Sequence, residues 1–215
     1  MNYANIKKTD VANGPGIRVS LFVSGCTHRC KGCFNSEAWD FHYGRVYTGE
    51  TEEEILQALA PDHIGGLSIL GGEPMEPENR GTVLELVKAV RRRYPQKSIW
   101  CYTGYDYEKD LLVWAGQGSH KGAEAGMDRV AETVDGSLDG AMETADDVVN
   151  RGVGTADYAA DRTVRELLDC IDVLVDGEFV EERKNLRLAF RGSDNQRLID
   201  VRKSLQTGRT VCLSR

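Results

Sequence analysis

Residues 19–35 read Val19-Ser20-Leu21-Phe22-Val23-Ser24-Gly25-Cys26-Thr27-His28-Arg29-Cys30-Lys31-Gly32-Cys33-Phe34-Asn35, an apolar run that empties into a cysteine-rich loop. The first five residues predict a strand. The loop spaces its thiols C-x3-C-x2-C, and the next cysteine, Cys101, stands alone in Trp100-Cys101-Tyr102. Four thiolates close a structural zinc or iron-sulfur site. Three on one short loop hold three corners of a [4Fe-4S] cube and leave one iron open to a substrate. The missing fourth thiol therefore points to chemistry rather than to a staple.

Two other uses of these cysteines compete with this one. A zinc knuckle pairs its cysteines as separated C-x2-C halves, which this chain lacks; His28 is available as a fourth ligand only if it folds back between Cys26 and Cys30 onto the same metal. A disulfide framework fits poorly, because the first residues do not read as a charged-then-apolar leader and Cys101, Cys170 and Cys212 sit singly in apolar stretches. Buried free thiols are the expectation for those three.

A second segment, Leu67-Ser68-Ile69-Leu70-Gly71-Gly72-Glu73-Pro74, is a short apolar strand ending in two glycines, a carboxylate and a proline. On its own it is an ordinary strand-to-loop turn. Adjacent glycines also let a ligand approach the backbone, and Glu73 adds an acceptor able to hold a cationic amine.

The cysteine run followed by Gly71-Gly72-Glu73-Pro74 resembles the radical S-adenosylmethionine superfamily. Further segments narrow the likeness: Asn13-Gly14-Pro15-Gly16-Ile17-Arg18, Gly32-Cys33-Phe34-Asn35, residues 100–105, Val173-Leu174-Val175-Asp176-Gly177 and Arg191-Gly192-Ser193-Asp194-Asn195-Gln196. Taken in order, they resemble the activating proteins of anaerobic ribonucleoside-triphosphate reductases.

That resemblance implies a cofactor pair, a [4Fe-4S] cluster and S-adenosyl-L-methionine, with Cys26, Cys30 and Cys33 as cluster ligands. It implies that Gly71, Gly72 and Glu73 bind the methionine amino group while Pro74 fixes the turn. Thr103 and Gly104 are candidates for touching the methionyl or ribose part. Gly32 stands where the superfamily usually has an aromatic residue, which makes Phe34 the candidate for packing on adenine. The implied reaction is reductive cleavage of S-adenosylmethionine to a 5′-deoxyadenosyl radical, which takes hydrogen from a glycine Cα on the reductase large subunit. The electron would come from a low-potential donor such as flavodoxin or ferredoxin. No chemistry is derivable for Asp176, Gly177 or residues 191–196, each of which also fits a turn.

Alternatives of other kinds are an activase of a different glycyl radical enzyme, a small-molecule radical enzyme, and a non-catalytic iron-sulfur or zinc module. Several other activases carry additional cysteine sets before the Gly-Gly-Glu-Pro turn, and none occurs here between Cys33 and Cys101. A module without catalysis leaves the glycine turn unexplained.

Composition agrees with a cytoplasmic enzyme. At 215 residues, 40% hydrophobic and net charge −7, the chain has material for a core and no basic patch suited to nucleic acid. No apolar run reaches the ~18 residues a membrane span requires. The basic cluster Lys88, Arg91, Arg92 and Arg93 lies on a segment whose Val83, Leu86, Val87 and Val90 repeat at helical spacing, so it reads as the solvated face and last turn of a helix.

Along the chain, strands are expected at 19–23, 67–70, 98–102 and 171–175. Helices are expected from a Thr51/Glu54 capping box to Leu59, over 82–94 ahead of Pro95, and over 164–168. The alternation predicts an α/β fold with a parallel sheet, which the resemblance refines to a partial (β/α) barrel. One domain is expected over 1–215, carrying an acidic, glycine-rich insertion at about 116–163. Residues 116–165 hold ten acidic and five basic side chains, eight glycines and one aromatic residue. Such a stretch buries little, and reads as a surface excursion with short helices near 130–134 and 142–149.

Overall fold

The structure is a computed structural model that describes residues 1–117 and 161–214. The acidic stretch expected at about 116–163 lies mostly outside the described residues, as do the two short helices expected near 130–134 and 142–149. Its ends are described, and they meet: the Asp161 N–H donates to the Trp114 carbonyl at 2.6 Å.

The fold is α/β around one seven-stranded sheet. Its strands are β1 (Asn2–Asp10), β2 (Ile17–Val23), β3 (Arg45–Val46), β4 (Ile64–Gly71), β5 (Ser98–Tyr102), β6 (Val173–Asp176) and β7 (Arg197–Asp200), in the spatial order β3-β1-β2-β4-β5-β6-β7. The middle of the sheet, β2-β4-β5-β6, is parallel as expected; β1, β3 and β7 add antiparallel edges that the sequence did not announce. The helices are α1 (Gly49–Leu59), α2 (Pro77–Arg93), α3 (Leu112–Trp114, continuing a π-helical Tyr107–Leu111), α4 (Arg162–Cys170) and α5 (Val201–Thr207). None among the described residues is long and apolar enough to cross a membrane.

Two helix starts differ from expectation. The capping box of α1 is Thr48 with Thr51, not Thr51 with Glu54: the Thr48 hydroxyl accepts from Thr51 N–H, so the helix begins at Gly49. Helix α2 begins at Pro77, ahead of the expected residue 82, because proline at the first helical position lacks only an N–H that would be unpaired anyway. Its C-terminal cations are not simply a solvated face. Arg91 donates to the carbonyls of Lys97 and Cys170 and pairs with Asp172 at 2.5 Å, tying α2 to the start of β6.

Side chains alternate across the parallel strands. Val19, Leu21, Val23, Leu67, Ile69, Ile99, Cys101 and Leu174 join Ile55, Leu59, Val83, Leu86, Val87, Val90, Val164 and Leu167 of the helices in the main core. The opposite face carries the row Ser20, Ser68, Trp100, Val173, which are paired in register, and above it Phe22, Leu70, Tyr102 and Val175. A smaller core of Trp100, Val173, Val175 and Leu198 sits there, with Phe190 against the Trp100 ring at 5.4 Å.

The same face holds Arg18, 1% exposed. Its guanidinium donates to Ser68 Oγ (2.7 Å), Ser98 Oγ (2.9 Å) and the carbonyls of Leu67 and Ser98, and lies over the Trp100 ring. Burial pushes its pKa down to about 10. This explains much of the Asn13-Gly14-Pro15-Gly16-Ile17-Arg18 segment. A Cβ on Gly14 would stand 2.7 Å from the Arg18 side chain, and the Asn13 carbonyl accepts from Ser68 Oγ.

Candidate metal centre

The loop after β2 carries the three thiols over the C-terminal ends of the parallel strands. Its path is held from outside: Gly25 N–H and Cys26 N–H donate to the carbonyls of Ala38 and Trp39, and Cys33 N–H donates to the Cys30 carbonyl. Glu76 Oε1 accepts from both the N–H and the hydroxyl of Thr27, and Asn79 Nδ2 donates to the carbonyls of Ser24 (3.0 Å) and Glu73 (2.9 Å). Glu76 and Asn79 therefore clamp the cysteine loop to the Gly71-Gly72-Glu73-Pro74 turn. They lie three and six residues after Glu73, but nothing in that spacing announced the role.

Cys26, Cys30 and Cys33 are half-buried free thiols that line a single cavity of about 600 Å³. Gly71, Gly72, Glu73, Thr103, Gly104 and Phe34 line it as well. Of the residues expected at the site, Gly32 and Pro74 do not reach this cavity. Gly32 serves the loop: its φ is +71°, and a Cβ there would stand 2.9 Å from the Glu181 carboxylate. Phe34 is 61% exposed and packs on Phe179 at 5.3 Å, at the edge of the cavity.

The turn is built by close approach. Gly72 N–H and Glu73 N–H donate to the carbonyls of Val23 (2.7 Å) and Gly25 (2.8 Å), and a Cβ on Gly72 would lie 2.5 Å from the Gly25 oxygen. Glu73 is 1% exposed and already engaged: Oε1 accepts from Met75 N–H (2.8 Å) and Thr103 Oγ1 (2.8 Å), and Oε2 accepts from Gly104 N–H (2.7 Å). The carboxylate thus joins the end of β4 to the end of β5. With about two lone-pair positions per oxygen, Oε1 is filled and only Oε2 retains capacity.

His28 faces that remaining oxygen. Its Nε2 lies 3.3 Å from Glu73 Oε2 without hydrogen-bond alignment, an ion-pair contact, while Nδ1 sits 2.8 Å from Glu178 Oε1. The ring stands edge-on to Tyr105 at 4.4 Å and covers Gly104, where a Cβ would come within 2.6 Å of it. The Glu73 and Glu178 carboxylates raise its pKa to about 9. His28 lines the same cavity as the thiols but is already held by these two carboxylates, so a zinc site completed by it would have to displace them.

Chemically, the donor set suits an iron-sulfur cube with one open corner: three thiols, no fourth thiol in the same loop, and a cavity beside them large enough for a small molecule. Burial raises the Cys26 thiol to about 11 and also raises Cys30, so cluster assembly must displace protons from both. The second carboxylate group, Asp106, Glu108 and Asp176, is no rival centre. Arg197 occupies its middle, bonded to Glu108 at 3.0 and 2.6 Å and to Asp176, and joins β7 to the π-helical turn. Asp176 also accepts from Tyr107 N–H, which gives the Asp176-Gly177 pair a bracing role.

Comparison with known proteins agrees with this geometry. A family model described as "4Fe-4S single cluster domain" matches residues 12–151 and 144–199. Proteins named anaerobic ribonucleoside-triphosphate reductase-activating protein are similar over almost the whole chain. The one from Vibrio cholerae is 36% identical, covering 91% of this chain and 96% of its own; that of Enterobacteria phage T4 is 32% identical, covering 92% and 93%. The Escherichia coli protein is 32% identical, covering 91% and 96%. With likeness of this extent and a cysteine loop of this construction, the chain belongs to the family of anaerobic ribonucleoside-triphosphate reductase-activating proteins.

Proposed function

We propose that this protein activates anaerobic ribonucleoside-triphosphate reductase, holding a [4Fe-4S] cluster on Cys26, Cys30 and Cys33 and S-adenosylmethionine beside it, and leaving a glycyl radical on the reductase large subunit. One observation carries the reading: the three thiols and the Gly71-Gly72-Glu73 turn line the same cavity, in a member of the activating-protein family. When bound, the cluster supplies the one-electron chemistry that cleaves S-adenosylmethionine and leads to hydrogen abstraction.

The chain's own residues position and enclose. The amino group of the ligand is a donor and needs acceptors; because the turn's N–H groups already bond the end of β2, its carbonyls are the groups we assign to it. Glu73 sets the shape of that turn, and Thr103 and Gly104 carry the same brace onto β5. Phe34, with Phe179, supplies the apolar surface we assign to the adenine. We read the sheet as a partial (β/α) barrel, since the helices pack in one core and the cavity lies over strand ends on the other face. A low-potential donor such as flavodoxin or ferredoxin would provide the electron. The six free cysteines suit the reducing cytoplasm.

The activity is tested by reconstituting the protein anaerobically, reducing it with dithionite and adding S-adenosylmethionine. Methionine and 5′-deoxyadenosine are expected in equal amounts. Binding without cleavage in the reduced protein would contradict the proposal.

We also propose one domain over 1–215, with the acidic stretch as an addition to it. What supports this reading is the Asp161–Trp114 hydrogen bond, which joins the described residues on either side of the stretch, together with the capping of α4 by Asp161 through Thr163 N–H. Replacing residues 118–160 by a short linker should leave S-adenosylmethionine cleavage largely intact, because loop closure costs only about 0.6 kcal/mol per doubling of length. Unfolding of the shortened protein in a thermal melt would show the stretch to be structural.

A further inference from the structure

Segment 177–196 between β6 and β7 is long for a connection, and loops beyond about 12–15 residues with little secondary structure are usually functional. It is a fixed wall. Gln196 Oε1 accepts from Gly192 N–H (2.9 Å) and Ser193 N–H (3.1 Å), Gln196 Nε2 donates to the Gly177 carbonyl (3.0 Å), and Asn195 Nδ2 donates to the Glu178 carbonyl (2.8 Å). Phe190, at φ +61°, pins the wall to Trp100. Residues 191–196, without a role in the sequence, are the staple of this wall.

The tip of the wall is unlike its base. Leu186 is 81% exposed and lines the cavity mouth with Phe34; Val11, 71% exposed, stands beside Ala12 and Asn13 of the same lining. Exposed apolar side chains gathered at a cavity and rimmed by charge mark an interaction surface. The rim is cationic. Lys7, Lys184, Arg187 and Arg191 have no carboxylate within ion-pair distance among the described residues; Lys184 lies over Phe34 and Lys7 over Phe22. The acids of the same wall are already paired: Glu178 with His28, Glu181 and Glu182 with Lys31, Asp194 with Arg183. A chain of net charge −7 thus carries, beside the mouth of this cavity, four cations without an ion-pair partner among the described residues.

We propose that this rim is the docking surface for the reductase, receiving an apolar surface segment flanked by carboxylates, with Leu186 as the apolar contact and Arg187 and Lys184 as the charge contacts. The proposal rests on the activase reading above. Leu186 would seat an apolar side chain of the reductase beside the cavity mouth, and the cations would orient the encounter and make it salt-sensitive.

The test uses the reconstituted holoprotein with Leu186→Asp, Arg187→Glu and, as a conservative control, Leu186→Met. Each side chain is exposed, so folding is not at stake. Without reductase, 5′-deoxyadenosine formation should match wild type in all three. With reductase, the concentration giving half-maximal glycyl radical should rise about tenfold or more for Leu186→Asp, and should rise and lose its salt dependence for Arg187→Glu, while Leu186→Met stays at the wild-type value. Unchanged half-saturation in both charged variants, with the wild type active, overturns the surface and leaves the activase reading standing. A shift in sedimentation of the protein alone, with reductase response unchanged, assigns the rim to self-association and overturns it too. Failure of the wild type to radicalise the reductase removes both.

Discussion

Cys30→Ala should abolish the cluster outright. Cys30 is the middle thiol of a loop in which His28 is engaged by Glu73 and Glu178, and Thr27 by Glu76. No neighbouring donor can replace a lost thiolate, and a cube held by two cysteines has two unprotected corners. Anaerobic reconstitution of the wild type should yield one [4Fe-4S] cluster per chain by iron analysis and reduced-state electron paramagnetic resonance; the variant should show neither. Cys101→Ala and Cys212→Ala are the controls. Cys101 points into the main core and Cys212 is exposed, so both should keep the full signal. An intact four-iron signal in Cys30→Ala would sink the ligand assignment.

The second large effect is on stability. If Glu73 served the ligand alone, Glu73→Ala would weaken S-adenosylmethionine binding and leave the fold untouched. The structure assigns it a different weight. Removing the carboxylate strands the N–H groups of Met75 and Gly104 and the Thr103 hydroxyl in a buried place and takes from His28 one of its two carboxylate partners. Breaking a buried charged network by deleting one partner costs about 3–5 kcal/mol. At roughly 2–4 °C per kcal/mol for a chain of this size, the melting midpoint of the cluster-free protein should fall by about 6–20 °C. Ligand affinity should fall as well, because the Gly71-Gly72 turn loses its anchor to β5. An unshifted melt with weakened binding would return Glu73 to the role of a simple amine acceptor.

Much of the site was legible because its chemistry is compressed into two short words, the three-cysteine loop and the glycine turn. The parallel strands around them were legible too, since Val19, Leu21, Leu67, Ile69 and Ile99 are apolar as buried strands require. The edges were not. β1, Asn2–Asp10, buries little beyond Tyr3 and Asp10, so it carries no alternation to read. The helix starts slipped because Thr48 caps through its hydroxyl and Pro77 through its fixed φ at the first helical position, neither of which the apolar periodicity encodes. Hardest were the buried polar braces. Arg18, Glu73 and Asn79 belong to residue types that are usually exposed, and only the fold reveals the carbonyls, hydroxyls and N–H groups that satisfy them. His28 illustrates the same limit: the sequence allowed it as a ligand only by folding back between Cys26 and Cys30, and only the fold reveals the two carboxylates, distant in sequence, that it meets.

The central claim is that one-electron chemistry at this cavity ends on a partner's backbone. The measurement that tests it is electron paramagnetic resonance of the reduced, reconstituted protein mixed anaerobically with S-adenosylmethionine and the anaerobic reductase, with 5′-deoxyadenosine assayed in the same tube. The account predicts a glycyl radical doublet on the reductase that grows together with 5′-deoxyadenosine. Formation of 5′-deoxyadenosine with no radical on the reductase would contradict it and assign the site to a small-molecule substrate.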